Sequence, residues 1–242
     1  EHHIWLAHNE DGHRDYHDIL FTLKVTPPSG VAFISLVYPG IAAGSGPSLN
    51  SQGIIQTTNF IPGRKSEIGV PRYVIGRAVL EAKDLKEAIQ LATFEERAYP
   101  FHHNIASMDE KQYASVETTP ETFEVRHPKG IYFHTNHLIF EKTINNQPQN
   151  QVGNPLSSLS RYIVISEKIK QIEPGDIQVK DILSILSAHE RKPYSPCRHP
   201  QGKISGRTLC TAFFDIGERT FRLYKGNPCE AVKKDQVVTL GF

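Results

Sequence analysis

The apolar periodicity of this chain comes in blocks, and the order of the blocks constrains the fold more than any single motif. Residues 4–7 are a short apolar run, and residues 19–25, 31–37 and 53–60 read as strands. Residues 72–82 and 85–97 then carry apolar side chains at helical spacing: Val74, Ala78 and Val79 in one, Leu85, Ala88, Ile89 and Ala92 in the other. Asp84 stands where an N-cap belongs, three residues ahead of Glu87. Strands resume at 104–107, 112–118, 122–126 and 131–134, helices at 159–171 and 179–189, and residues 210–215 and 220–225 form a hairpin. Strands and helices segregated in this way predict an α+β fold in layers rather than a parallel βαβ sheet. Two sheets stacked between two helical layers fit the order. Pro27-Pro28-Ser29-Gly30 reads as a turn, and residues 38–49 and 143–158 as loops.

At 242 residues the chain is long enough for one large domain with a buried core, expected to span 1–242. Lys and Arg number 27 against 26 Asp and Glu, so the balance gives no electrostatic case for a nucleic-acid partner. No apolar run is long enough to span a membrane. The chain opens on Glu1-His2-His3, which reads as mid-strand, so a preceding segment is expected, and with it the compartment stays open. Cys197, Cys210 and Cys229 include no CxxC, which suggests neither a zinc site nor a disulfide framework; Cys210 and Cys229 read best as buried thiols.

Four polar stretches are candidates for chemistry. Asn9-Glu10-Asp11 follows the opening run, where a carboxylate can orient an amine or a base, although alone it reads more simply as a solvated turn. His134-Thr135-Asn136-His137 offers an amide donor for a developing oxyanion. Its two histidines, three apart in a strand, would face opposite ways and would not share a metal. Ser195-Pro196-Cys197-Arg198-His199 places a thiol beside two basic groups, which can make it nucleophilic; the simpler reading is a thiol at a turn with Arg198 as the functional group. The loop from Tyr38-Pro39-Gly40 to Asn50 lacks the Lys of a phosphate-binding signature, and its glycines would let backbone approach a ligand closely. The N-terminal histidines His2, His3, His8, His13 and His17 raise a metal reading, but their flanks match no zinc motif.

Taken in order, these stretches resemble the penicillin acyltransferase family, the acyl-coenzyme A:6-aminopenicillanic-acid acyltransferase group of N-terminal nucleophile hydrolases. Asn9-Glu10-Asp11 is similar to the family's Asn-x-Asp stretch, and Tyr38-Pro39-Gly40 with Leu49-Asn50-Ser51-Gln52-Gly53 to its loop and return. Gly69-Val70-Pro71, Glu117, Cys197-Arg198 and the strand at 208–215 follow, with His134-Thr135-Asn136-His137 the most specific match.

The resemblance implies a four-layer α/β/β/α sandwich and a precursor that cleaves itself to expose an N-terminal Cys. That thiol would attack an amide or thioester carbonyl, with its own α-amino group as base, and the acyl group would pass to water or an amine. Asp11 would orient the amine and nucleophile, Asn136 would donate to the oxyanion, and Arg198 would stabilise charge. Tyr38, Asn59 and His134 would bind substrate. No cofactor is implied, and nothing in the sequence marks a coenzyme A site. The partner is a small-molecule amide or thioester; a homo-oligomer stays open. The family's Cys precedes the Asn-x-Asp stretch by more residues than stand before Asn9, so it is expected outside residues 1–242. Gly12 departs from relatives that carry Trp there, which bears on the acyl pocket. Hydrolysis is favoured over transfer, because transfer must exclude water. A catalytically silent binding module and a metal-dependent hydrolase built on the N-terminal histidines are the alternatives.

Overall fold

The computed structural model describes residues 3–28, 30–148, 155–173 and 175–242. Seven antiparallel strands form one sheet in sequence order: β2 (Phe21–Val25), β3 (Phe33–Val37), β4 (Ser48–Asn50), β5 (Ile54–Phe60), β6 (Phe101–Ser107), β7 (Gln112–Thr118) and β8 (Phe123–Arg126). The second sheet runs β1-β9-β10-β11, from β1 (Trp5–His13), β9 (Gly206–Asp215), β10 (Thr220–Lys225) and β11 (Val237–Leu240).

Alternation along the strands explains the layering. From β9, Cys210, Ala212 and Phe214 face the other sheet, where they meet Ile34, Leu36, Ile55 and Ala106 in the main core. The side chains between them face outward. Ile54, Ile105, Ala114 and Val116 pack under α1 (Arg72–Val79) and α2 (Leu85–Ala92). On the opposite side Phe213 and Tyr224 pack under α4 (Val179–Leu186) and α5 (Pro228–Ala231), through Leu183 and Ala231. The order is therefore helix, sheet, sheet, helix, as the blocks predict. The helix α3 (Pro155–Ile169) joins α4. No described helix is long and apolar enough to cross a membrane.

Asp84 caps α2 as expected, its Oδ1 accepting from the Glu87 N–H at 2.7 Å. Other boundaries differ. The opening strand continues through the polar residues to His13, because β9 pairs with it all the way to Gly206. The helix expected over 85–97 stops at Ala92, where the Thr93 hydroxyl turns back on the Ile89 carbonyl at 2.8 Å. Residues 131–134 are not a strand despite their apolar run; they lie on the sheet through side chains, as with Tyr132, whose hydroxyl accepts from Ser115 at 2.9 Å. The loop expected over 143–158 gives way to α3 at Pro155, with residues 149–154 outside the described residues. Ser29 of the expected Pro-Pro turn also lies outside them.

Two glycines of the 38–49 loop, Gly44 and Gly46, allow close packing. Gly44, at φ +93°, faces Gly76 of α1 so closely that a Cβ would come within 2.3 Å of the Gly76 oxygen. Gly12 is crowded by side chains instead: a Cβ there would meet Leu209 Cδ1 at 2.6 Å and the Tyr38 hydroxyl at 3.3 Å. A bulky residue at position 12 would require this wall to be rebuilt.

Candidate active site

The pairing of β1 with β9 slips by one residue between Glu10 and Asp11, which face Cys210 and Thr208 so that Leu209 is passed over. Such a bulge re-aims neighbouring side chains. Glu10 accepts a 2.6 Å hydrogen bond from the Tyr38 hydroxyl and has His8 Nε2 at 3.3 Å from its other oxygen. Burial, reinforced by Glu10, raises the pKa of Tyr38, which keeps that hydroxyl a donor. Asp11 accepts from Thr208 Oγ1 at 2.7 Å and has Arg198 Nη1 at 3.9 Å. Burial pushes its carboxyl above the usual range, against the opposing pull of Arg161, Arg198 and the Thr208 hydroxyl. Asn9 fastens β1 to the helical side: its Nδ2 donates to the Leu186 and Pro196 carbonyls at 2.9 and 3.1 Å.

Asn136 approaches from the opposite sheet. Its Nδ2 donates to the Phe60 carbonyl at 2.9 Å, and its Oδ1 accepts from Arg161 Nη2 at 2.8 Å. These bonds fix the amide orientation and leave one N–H available to another acceptor. The segment that carries Asn136 is held by Glu117 on β7, whose side chain is fully buried. Oε1 of Glu117 accepts from His134 Nε2 and from the Ile139 N–H, both at 2.7 Å. Oε2 accepts from the Phe140 N–H at 3.1 Å and from the Thr143 hydroxyl.

His134 Nδ1 faces the Thr135 carbonyl at 2.5 Å. Both ring nitrogens thus face acceptors. The ring stacks on His102 with centroids 3.5 Å apart. Burial, then the neighbouring histidines, pull His102 well below the usual imidazole range, so it stays neutral. Its Nδ1 accepts from Asn59 at 2.8 Å, and its Nε2 faces Ser115 Oγ at 2.8 Å.

Asp11, Tyr38, Asn59, His134 and Asn136 all border one cleft of about 1410 Å³. Arg198 does not; it stands behind Asp11. Arg161, which the motifs did not single out, lines the cleft and touches Asn136. Burial lowers its pKa, opposed by Asp11. No local motif marks it: Arg161 falls one turn from Ser157 and Ser158, whose burial only the fold reveals, and a basic residue near the buried face of a helix needs a partner. His134 and Asn59 are bonded into the protein network through the atoms named above and border the cleft as well. None of the cysteines borders the cleft among the described residues. Cys197 is fully buried, its Sγ 3.5 Å from both His199 Nε2 and Asn227 Nδ2.

Solved structures share this architecture. A mutant of the conjugated bile acid hydrolase from Clostridium perfringens superposes with a TM-score of 0.64 at 12% identity, over 98% of this chain and 88% of that one. The N-acylethanolamine-hydrolyzing acid amidase ortholog of Caenorhabditis elegans gives 0.59 at 13%, over 89% and 88%. Penicillin V acylase from Agrobacterium tumefaciens gives 0.55 at 11%, over 92% and 79%. At such identities the likeness establishes the fold, the four-layer sandwich of N-terminal nucleophile hydrolases. No curated protein matches the chain in sequence. Residues 1–230 match the family model described as acyl-coenzyme A:6-aminopenicillanic acid acyl-transferase, and the chain belongs to that family, whose N-terminal nucleophile chemistry is amide hydrolysis or acyl transfer.

Proposed function

We propose that this chain forms the active centre of an amide hydrolase acting on linear, non-peptide C–N bonds, with an N-terminal Cys outside residues 1–242 as nucleophile. The observation that carries the reading is the convergence of Asp11, Asn136 and Arg161 on one cleft from three separate elements, with Arg198 behind the carboxylate. The position of the thiols supports it: none of Cys197, Cys210 and Cys229 borders that cleft.

In this reading Asp11 holds the α-amino group of the nucleophile in place. An α-amino group has an ordinary pKa of roughly 7.7–8.0, so near neutral pH part of it is free to accept the thiol proton. The sulfur adds to the amide carbonyl, and the C=O electron pair moves onto oxygen. The remaining N–H of Asn136 donates to that oxygen, with the Arg161 guanidinium behind the amide to polarise it. Collapse breaks the C–N bond, the leaving amine takes a proton, and an acyl-enzyme thioester remains. Water then attacks the thioester and releases the acid. Arg72 and the aromatic side chains Phe60, Tyr73 and Phe101 border the same cleft and offer an apolar surface for the acyl group.

The test uses the natural full-length gene product. Intact mass is measured before and after incubation, and iodoacetamide labelling is mapped. Release of free amine is followed from penicillin V, a conjugated bile acid and an N-acylethanolamine. The expected result is chain cleavage ahead of one Cys, labelling of that Cys, and amine release that the label abolishes. Amine release that survives full labelling would sink the thiol mechanism.

A further inference from the structure

A second constellation lies off the cleft. His189 follows α4, Cys197 and His199 flank Arg198, and Cys229 sits in α5. One donor atom from each of the four lies within 4.8 Å of the others. His199 Nε2 is 3.1 Å from His189 Nε2, 3.5 Å from Cys197 Sγ and 3.5 Å from Cys229 Sγ. A tetrahedral zinc ion with Zn–N near 2.0–2.1 Å and Zn–S near 2.3 Å separates two nitrogens by about 3.3 Å and nitrogen from sulfur by about 3.6 Å. The three spacings about His199 are close to those of a Cys2His2 shell.

We infer that His189, Cys197, His199 and Cys229 form a structural zinc site that clamps the segment presenting Arg198 to the active centre. Two further observations agree. Asn227 Nδ2 donates to Cys197 Sγ at 3.5 Å and to the Arg198 carbonyl at 2.6 Å, the kind of outer bond that orients a thiolate ligand. The Cys197 N–H donates to the Ala188 carbonyl at 2.9 Å, which brings the two ends of the 188–197 loop, and so His189 and Cys197, together. Binding displaces the two thiol protons to solvent and involves no redox change. The set shows no CxxC because its members come from three separate stretches joined only by the fold.

Since the ligands on either side of Arg198 are adjacent to it in sequence, the metal fixes the backbone that carries the guanidinium beside Asp11. All four ligands lie off the cleft, so the ion is a positioning element rather than a reacting one.

The test is metal content and spectroscopy on untagged full-length protein. One zinc per chain is expected after dialysis, lost in Cys229→Ser and retained in Cys210→Ser. Wild-type protein stripped with 1,10-phenanthroline and reloaded with Co2+ should show the intense visible d–d bands of a tetrahedral centre and a thiolate charge-transfer band in the near ultraviolet. Phenanthroline alone should lower the Tm of wild-type protein but not of Cys229→Ser. The proposal is overturned if the wild-type protein takes up neither ion, if its cobalt spectrum lacks the thiolate band, or if its mass shows a Cys197–Cys229 disulfide. The cobalt spectrum is read on the wild-type chain, so the outcome stands even where a variant fails to fold. It is also independent of whether the cleft hydrolyses amides.

Discussion

Replacing Glu117 by Gln should loosen the Asn136 segment at a cost that follows from its four bonds. The carboxylate receives donors only: His134 Nε2 and the Ile139 N–H on one oxygen, the Phe140 N–H and the Thr143 hydroxyl on the other. An amide has one acceptor oxygen. With its NH2 on the His134 side, a neutral His134 can accept, but the Ile139 N–H is left facing a donor. Flipped, Thr143 can rotate to accept, but the Phe140 N–H is stranded. Either way one backbone N–H goes unsatisfied, at about 1–3 kcal/mol, and the surviving bonds lose their charge assistance. Release of a buried charge offsets part of this, so a net loss of about 2–4 kcal/mol is expected for Glu117→Gln. Glu117→Ala, which leaves His134 and the Ile139 and Phe140 N–H groups without this acceptor, should lose on the order of 5 kcal/mol. Urea unfolding read by tryptophan fluorescence and by circular dichroism gives the difference. In Glu117→Gln, limited proteolysis should cut first between residues 131 and 143. Stability of Glu117→Gln within about 0.5 kcal/mol of wild type, the usual effect of a surface change, would refute the claim that this carboxylate fastens the segment.

Other predictions follow from the same network. Arg161→Ala should lower amine release by on the order of a hundredfold with little change in KM, as loss of an oxyanion group does; an unchanged kcat would remove Arg161 from the centre. Asp11 has a raised pKa in the fold, so the acid limb of kcat/KM should lie above the ordinary carboxylate value of 3.8 and flatten in Asp11→Asn. Its linkage to folding has the matching sign: between 3.8 and the raised value the folded state holds a proton the unfolded state has lost, so Asp11's contribution falls as pH rises through that window. His103 behaves oppositely. Burial lowers its pKa from 6.5 to about 3, so its contribution is full above 6.5 and is lost as pH falls toward 3. Each such histidine adds about 1.4 kcal/mol per pH unit to the slope in this range. His103→Gln, which can keep the bond to Gln56, should remove that much from urea unfolding free energies measured across it, and an unchanged slope would count against a neutral buried ring.

Period-2 and helical patterns make the layers legible in the sequence, because Phe213, Phe214, Ile54 and Ile55 can only satisfy an alternation with apolar matter on both sides of a sheet. The polar half of β1 was harder to see. His8 to His13 carry no apolar signature, since their partners are Tyr38, Thr208 and Thr211 from distant segments rather than a hydrophobic core. Residues 131–134 show the reverse error: Ile131, Tyr132 and Phe133 mimic a strand, but side-chain bonds to β7 hold them in place. The family resemblance, rather than a local motif alone, marks Asp11 and Asn136 as candidates, whereas Arg161 and the four metal-ligand candidates become visible only when α3, α4 and α5 are packed on the sheet.

The pairing of β1 with β9 has a consequence for biosynthesis. Among the described residues β9 is the one strand that β1 pairs with, and Asp11 meets Thr208 across 197 positions of sequence. A nascent chain can lay down β2 to β8 in order as it emerges, each strand beside its predecessor. Through all of that time β1 has, among the described residues, no strand to join. The candidate site, which needs β1 beside β9, is therefore among the last parts of the described structure to be completed on the ribosome, and an unfinished chain carries the seven-stranded sheet without it.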